Sequence, residues 1–180
     1  IVVSRNNVIQ LWDIAREKIA QSFQLMEQET LKTGNEKESI FGERIHSIAA
    51  SESILLVGST SAIYAFDLEQ AVDGSIAPSR PLWLYSTKQD KQFYVPFKMS
   101  FYGKHSDKFY VIMSGNRALF GQVNESQKIS VDTRQCNEVL SLVHLLPLGN
   151  QDFLAGSSDG MRKFSTAQHE VQNFSLYEHD

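Results

Sequence analysis

The chain holds a single cysteine, Cys136, in 180 residues, so no disulfide can form within it. A lone thiol fits a reducing compartment, and the expected location is intracellular, either cytoplasmic or nuclear. Basic residues are not in excess. Lys and Arg number 17 against 21 Asp and Glu, a net charge of −4. That balance argues against the basic surface of a nucleic-acid protein, and no direct nucleic-acid partner is expected. No apolar run approaches the roughly 18–20 residues of a membrane span. The longest candidate, 140–148, is interrupted by Ser141, His144 and Pro147. Membrane insertion is therefore not expected. An initiating methionine is missing too: Ile1, Val2 and Val3 read as a strand already under way, with no charged n-region or cleavage site before them. This predicts an incomplete chain.

What is present favours sheet. Hydrophobic residues make up 42% of the chain, enough for a real core, and 11 Phe with 6 Tyr lean toward strands. Four segments line up as internal repeats: 4–13, 58–67, 112–121 and 156–165. Each has an apolar run, a tight polar turn, and a second run ending in an aromatic. The turns, at 4–7, 59–61, 114–116 and 157–160, are rich in Ser, Asn and Gly, which stabilise or tolerate turn dihedrals. Each segment is therefore a β-hairpin. The aligned aromatics Trp12, Phe66, Phe120 and Phe164 are 54, 54 and 44 residues apart. The shortest interval is close to the roughly 40–45 residues of one propeller blade. The longer ones leave room for polar insertions at 26–43 and 71–80.

These motifs resemble the WD40 family. Trp12-Asp13 stands where that family's Trp-Asp dipeptide ends the third strand of a blade, and Phe66-Asp67 is a softened version of it. The segment 156–160 looks like the family's turn between the second and third strands. The chain departs from the pattern in having no Gly-His dipeptide, and in Gly121 and Ser165 where Asp would stand. The resemblance implies an all-β, WD40-like β-propeller.

Counting four antiparallel strands to a blade places blades at about 1–25, 44–87, 95–133 and 139–177. That is about three and three-quarter blades, an incomplete ring. Open blade edges expose unpaired backbone groups, so missing N-terminal blades or a partner chain completing the propeller are expected; a four-bladed ring lacking one strand is the alternative. Residues 18–32 also admit a helix, since Asp13 could cap a face of Ala15, Ile19, Phe23 and Met26. The repeat favours a strand as far as about residue 25.

No chemistry in the sequence makes an enzyme. Residues 156–160 match the G-x-S-x-G elbow, but that motif needs a helix after it and acid and His partners downstream, and only 20 residues follow. The Asp-box of sialidases fails because Asp159 and Gly160 are contiguous. None of His46, His105, His144, His169 and His179 has metal-site spacing, and no metal or cofactor is expected. The sequons at Asn124 and Asn173 read as surface turn and strand residues. Trp12, Phe66, Trp83, Phe101 and Tyr102 are expected mostly to pack between blades.

The WD40 resemblance implies a scaffold holding partner proteins on its faces and edges. The expected function is non-enzymatic protein–protein interaction within a multiprotein assembly. A peptide-recognition or substrate-adaptor propeller is the first alternative, a propeller-type hydrolase the second. Loops held by rigid sheets carry such binding, so the candidate binding residues are Arg5, Asn6, Asn116, Arg117, Asp159 and Arg162, with Arg suited to carboxylates on a partner.

Overall fold

A computed structural model of the chain describes residues 2–3, 8–24, 44–68, 82–89, 92–124, 128–135, 142–149, 151–158, 160–166 and 171–174. Four antiparallel sheets follow one another along the sequence. The first contains β1 (Val2–Val3), β2 (Val8–Asp13) and β3 (Lys18–Gln24). The second contains β4 (Ile45–Ala50), β5 (Ile54–Ser59), β6 (Ala62–Asp67) and β7 (Trp83–Ser86). A short hairpin of β8 (Lys88–Gln89) and β9 (Gln92–Phe93) comes next. The third sheet has β10 (Pro96–Tyr102), β11 (Lys108–Met113), β12 (Arg117–Val123) and β13 (Ile129–Gln135). The fourth has β14 (His144–Pro147), β15 (Asp152–Ser157), β16 (Gly160–Ser165) and β17 (Val171–Phe174). Every strand pairs with its neighbour in sequence, so each sheet is a simple meander.

The sheets stack face to face, and the two-residue period of a strand decides which side chain meets which neighbour. In β5, Leu55 and Val57 join Ile9 and Leu11 of the first sheet, while Ile54 and Leu56 join Val111 and Leu119 of the third. In β11, Phe109 and Val111 face the second sheet, whereas Tyr110 and Ile112 face Leu145 and Phe153 of the fourth. Covered on both sides, β5 is buried at all six positions. The end sheets differ: β2 and β15 alternate buried with less buried residues, because only one face has a neighbour. No buried cluster among the described residues joins the fourth sheet back to the first, and the set does not close.

Polar ties on the strands fix one sheet against the next. The Ser47 hydroxyl donates to the Pro96 carbonyl at 2.7 Å, joining the second sheet to the third. The Tyr85 and Thr133 hydroxyls meet at 3.0 Å across the same pair of sheets. The Tyr110 hydroxyl donates to the Leu145 carbonyl at 2.8 Å, and Lys98 contacts His144; both tie the third sheet to the fourth. Each of the three hydroxyl bonds, between buried or part-buried groups, contributes about 1 kcal/mol net, and leaving its partner unsatisfied costs more.

Several expectations meet the structure here. Residues 18–24 are strand, not helix, because β3 pairs along the whole of β2 from Val8 to Asp13. The expected insertions at 26–43 and 71–80 lie outside the described residues. The hairpin of β8 and β9 has no counterpart in the strand count. The third repeat is out of register by one residue. Phe66 lies 3% exposed and faces the preceding sheet, but Phe120 faces the following one. Gly121, next to Phe120, is the residue of β12 that faces back along with Leu119, and it pairs with Phe109. The Phe109 ring lies over that glycine, 2.0 Å from where a Cβ would stand. The second sheet has an aromatic on its third strand, Phe66, opposite Leu55. The third sheet has its aromatic on the second strand instead, and Gly121 makes room for it.

Candidate interaction surfaces

The second, third and fourth sheets each present one end where the first strand begins and where the turn between the second and third strands lies. Backbone hydrogen bonds hold the two together: Thr60 N–H donates to the Arg44 carbonyl, Ser114 N–H to that of Val95, and Val143 N–H to that of Gly156. Bonds between sheets bring these ends side by side. The Leu142 N–H at the start of the fourth sheet donates to the Asn116 side-chain oxygen at 3.2 Å.

Of the residues singled out from the sequence, Arg5, Asn6 and Asp159 lie outside the described residues. Asn116 and Arg117 sit at this end. Gly115 and Asn116 have φ of 71° and 57°, the consecutive left-handed residues of a mirror-image hairpin turn, for which Gly and Asn are the best suited. The Arg117 guanidinium lies over the Tyr94 ring, 3.9 Å from its centroid, an arrangement worth about 0.5–1 kcal/mol at a partly exposed site. Both residues therefore help build the turn. Arg162 lies on β16 opposite Ala155, on the face turned toward the third sheet, and is half-buried. It is a strand residue, the third of β16, and not part of a turn.

Two strand-start residues escaped the sequence reading. In β4 and in β10 the pairing skips one residue, between Ile45 and Ser47 and between Pro96 and Lys98. His46 and Phe97 are the extra residues of these bulges, and a bulge re-aims its side chain. Both are exposed, Phe97 by 41%. His46 Nε2 lies 3.0 Å from the Thr60 hydroxyl. The one available signal was Pro96, since proline in a strand marks an edge, a start or a bulge.

A shallow cleft of about 280 Å³ opens between the third and fourth sheets at the opposite end, lined by Tyr102, Lys108, Gln122, Asp132, Gln151 and Thr166 among others. Burial against Phe153, whose ring meets Tyr102 edge-on at 5.2 Å, pushes the Tyr102 hydroxyl up to about 12, and the Asp107 charge adds to this. At neutral pH this phenol stays protonated and offers a hydrogen-bond donor. Ser158 lies on the turn between two strands, β15 and β16, not on the strand-to-helix bend that a nucleophile elbow requires. No helix among the described residues is long and apolar enough to cross a membrane.

No protein-family model matches the chain, and no curated protein is similar to it in sequence. Solved structures are similar in fold. The β-propeller domain of Cps50 (Swd1) from Myceliophteria thermophila superposes with a TM-score of 0.57 at 12% identity, covering 92% of this chain and 47% of that one. BamB from Moraxella catarrhalis gives 0.54 at 14% identity, with 97% and 45% covered. A protein of unknown function from Bacteroides caccae gives 0.56 at 11%, with 93% and 53% covered. The four sheets are β-propeller blades. The chain spans about half the length of each of these structures, and the first and fourth blades are the open ends of an unclosed propeller.

Those open ends carry apolar side chains. On the first blade, Ile9 and Leu11 face inward, so Trp12 points to the uncovered side and is 42% exposed, with its cross-strand neighbour Ile19 at 43%. On the fourth, Leu145 faces inward and Leu146 outward, 57% exposed. Most of the aromatics expected between blades are there: Phe66 is buried, and Trp83, Phe101 and Tyr102 are half-buried against their neighbours. Trp12 is the exception: no described sheet lies against its face.

Proposed function

We propose that this chain is part of a WD40-like propeller acting as a non-enzymatic scaffold, which binds other proteins within an intracellular assembly. The observation that carries the reading is the asymmetry of burial: the inner two blades are covered on both faces, while the first and fourth each leave an apolar face uncovered around Trp12 and Leu146. The occupant that fits such a face is another blade, supplied by further chain or by a partner. The similar solved propellers, each with about as much chain again, support this. The WD40 assignment is supported by Trp12-Asp13 and Phe66-Asp67, which end β2 and β6, the strands that follow the first two of the aligned turns.

Light scattering combined with binding of an apolar dye tests the reading. The chain should self-associate or bind the dye, and Trp12→Lys with Leu146→Lys should abolish both, since neither position supports the inner core. A folded, cooperatively melting monomer that binds no dye and is unaffected by the two changes would sink it.

A further inference from the structure

Each blade ends on an outer strand, and β13 of the third blade differs from the others. β7 and β17 are four residues long, and a register shift breaks the pairing of β3 with β2. β13 pairs with β12 over seven residues without a bulge. Among the described residues no strand lies on its other edge. Ile129–Gln135 contains neither lysine nor proline, two of the devices that blunt an exposed edge. The ladder decides which backbone groups that edge offers. Asn124 N–H donates to the Lys128 carbonyl, and Val123 N–H to that of Asp107. Bonded pairs alternate along an antiparallel ladder. Gln122 with Ser130 and Phe120 with Asp132 therefore bond across β12 and β13, and Ile129, Val131 and Thr133 turn their N–H and C=O outward. Val131 is 36% exposed.

The same strand borders the cleft between the third and fourth blades. Phe120 faces the fourth blade, so its partner Asp132 and the next residue but one, Ser130, face it too. Both line the cleft, with Tyr102, Lys108 and Gln151. The Tyr102 hydroxyl stays protonated at neutral pH and is a donor. Lys108 and Gln151 add donors, and Asp132 adds acceptors. The Lys108 and Asp132 charges offset one another, so a neutral group that both accepts and donates matches this set better than an anion. An amide side chain does both.

We propose that an extended segment of a partner protein adds to the free edge of β13 as a fifth strand, with an Asn or Gln side chain in the adjoining cleft. The inference rests on the scaffold reading only in that the partner is a protein. Strand addition draws affinity from main-chain hydrogen bonds and specificity from pockets for alternate side chains. β13 supplies both, through the outward groups of Val131 and Thr133 and through the cleft on the side of the fourth blade. Side chains of the added strand alternate, so the neighbours of the amide turn to the other side, beside Val131, where β-branched apolar residues fit.

Fluorescence anisotropy provides the test, with a fluorescein-labelled peptide of alternating valine and glutamine, flanked by lysines for solubility. Val131→Pro removes an outward N–H and leaves the bonds to β12 in place, since proline is tolerated where a strand's N–H faces solvent. It should weaken binding about tenfold, whereas Val131→Thr, which keeps that N–H, should leave affinity unchanged. Tyr102→Phe removes only the cleft hydroxyl and should weaken binding of the glutamine peptide about fivefold, with no effect on a peptide in which leucine replaces glutamine. Circular dichroism checks that each variant keeps its fold. In the unmodified chain the peptide should slow amide hydrogen exchange over 129–135. The proposal is overturned by no binding, by no protection of that segment, or by equal affinity of the folded Val131→Pro chain. Self-association that Val131→Pro abolishes would place a second copy on this edge and overturn it too. The chain carrying Trp12→Lys and Leu146→Lys should bind the peptide equally well, so this inference and the scaffold reading can fail separately.

Discussion

Replacing Gly121 by alanine should destabilise the chain, although alanine is ordinarily the better strand residue. The added methyl would stand 2.0 Å from Phe109 Cζ and 2.4 and 2.5 Å from its two Cε atoms. The ring has no room to retreat. Phe109 is fully buried and held edge-on by Trp83, centroids 6.2 Å apart, and by Phe101 at 5.9 Å. Overpacking of this kind costs about 1–3 kcal/mol, against a gain of about 0.5–1 kcal/mol from removing a glycine within a strand. A net loss of about 1 kcal/mol is expected. At about 2–4 °C per kcal/mol for a chain of this size, Tm should fall by roughly 2–4 °C. Phe109→Leu alone should cost about 1 kcal/mol, and it removes the ring atoms that the methyl strikes. The double variant should therefore recover about 1–2 kcal/mol relative to the sum of the single changes. Urea unfolding followed by tryptophan fluorescence measures this, with Trp83 beside the affected ring and an unchanged m-value as the check. If Gly121→Ala is neutral or stabilising, or if the two changes simply add, Phe109 does not occupy the place left by Gly121 and the register argued for the third blade is wrong.

Phe66→Ala should cost about 3–5 kcal/mol, the range for a buried aromatic, whereas Trp12→Ala at the equivalent strand end should cost less than about 1 kcal/mol because its side is uncovered; equal losses in urea unfolding would mean that Trp12 is packed. The Tyr102 hydroxyl titrates higher in the folded chain, at about 12, than its ordinary value of 10.0. The unfolded chain therefore releases that proton first, and the stability concerned is complete below pH 10 and lost as pH rises toward 12. In full this would be about 2.7 kcal/mol at about 1.36 kcal/mol per pH unit; screening of the half-exposed ring brings it to about 1 kcal/mol. Tyr102→Phe should flatten that alkaline loss in urea midpoints measured from pH 9 to 12, and an unaltered slope would refute the burial given for Tyr102.

Much of this architecture is legible from local pattern. The turn at 114–116 is written in Gly115 and Asn116, the residues that accept left-handed backbone, and the strand pairs flanking it follow from alternation and loop length. β3 shows how a repeat outweighs local propensity: residues 18–24 could have been helical, and pairing with β2 makes them strand. The third blade shows the limit. Aligning Phe120 with Phe66 is reasonable by sequence, but a shift of one residue sends a side chain to the other face of its sheet, and only the packing of Phe109 on Gly121 reveals it. The candidate binding residues followed the same division. The sequence located the turns, and so Asn116 and Arg117, but not that Asn116 is engaged by Leu142 or Arg117 by Tyr94.

The sequence by itself determined the hairpin repeat, the all-β class and the unfinished count of blades, because hydrogen bonding within a meander is local and leaves a periodic imprint. Only the tertiary structure decided which face of each blade is covered and that Trp12 is exposed where Phe66 is buried. Those outcomes depend on neighbours tens of residues away, and no periodicity within a single strand records which sheet will lie against it.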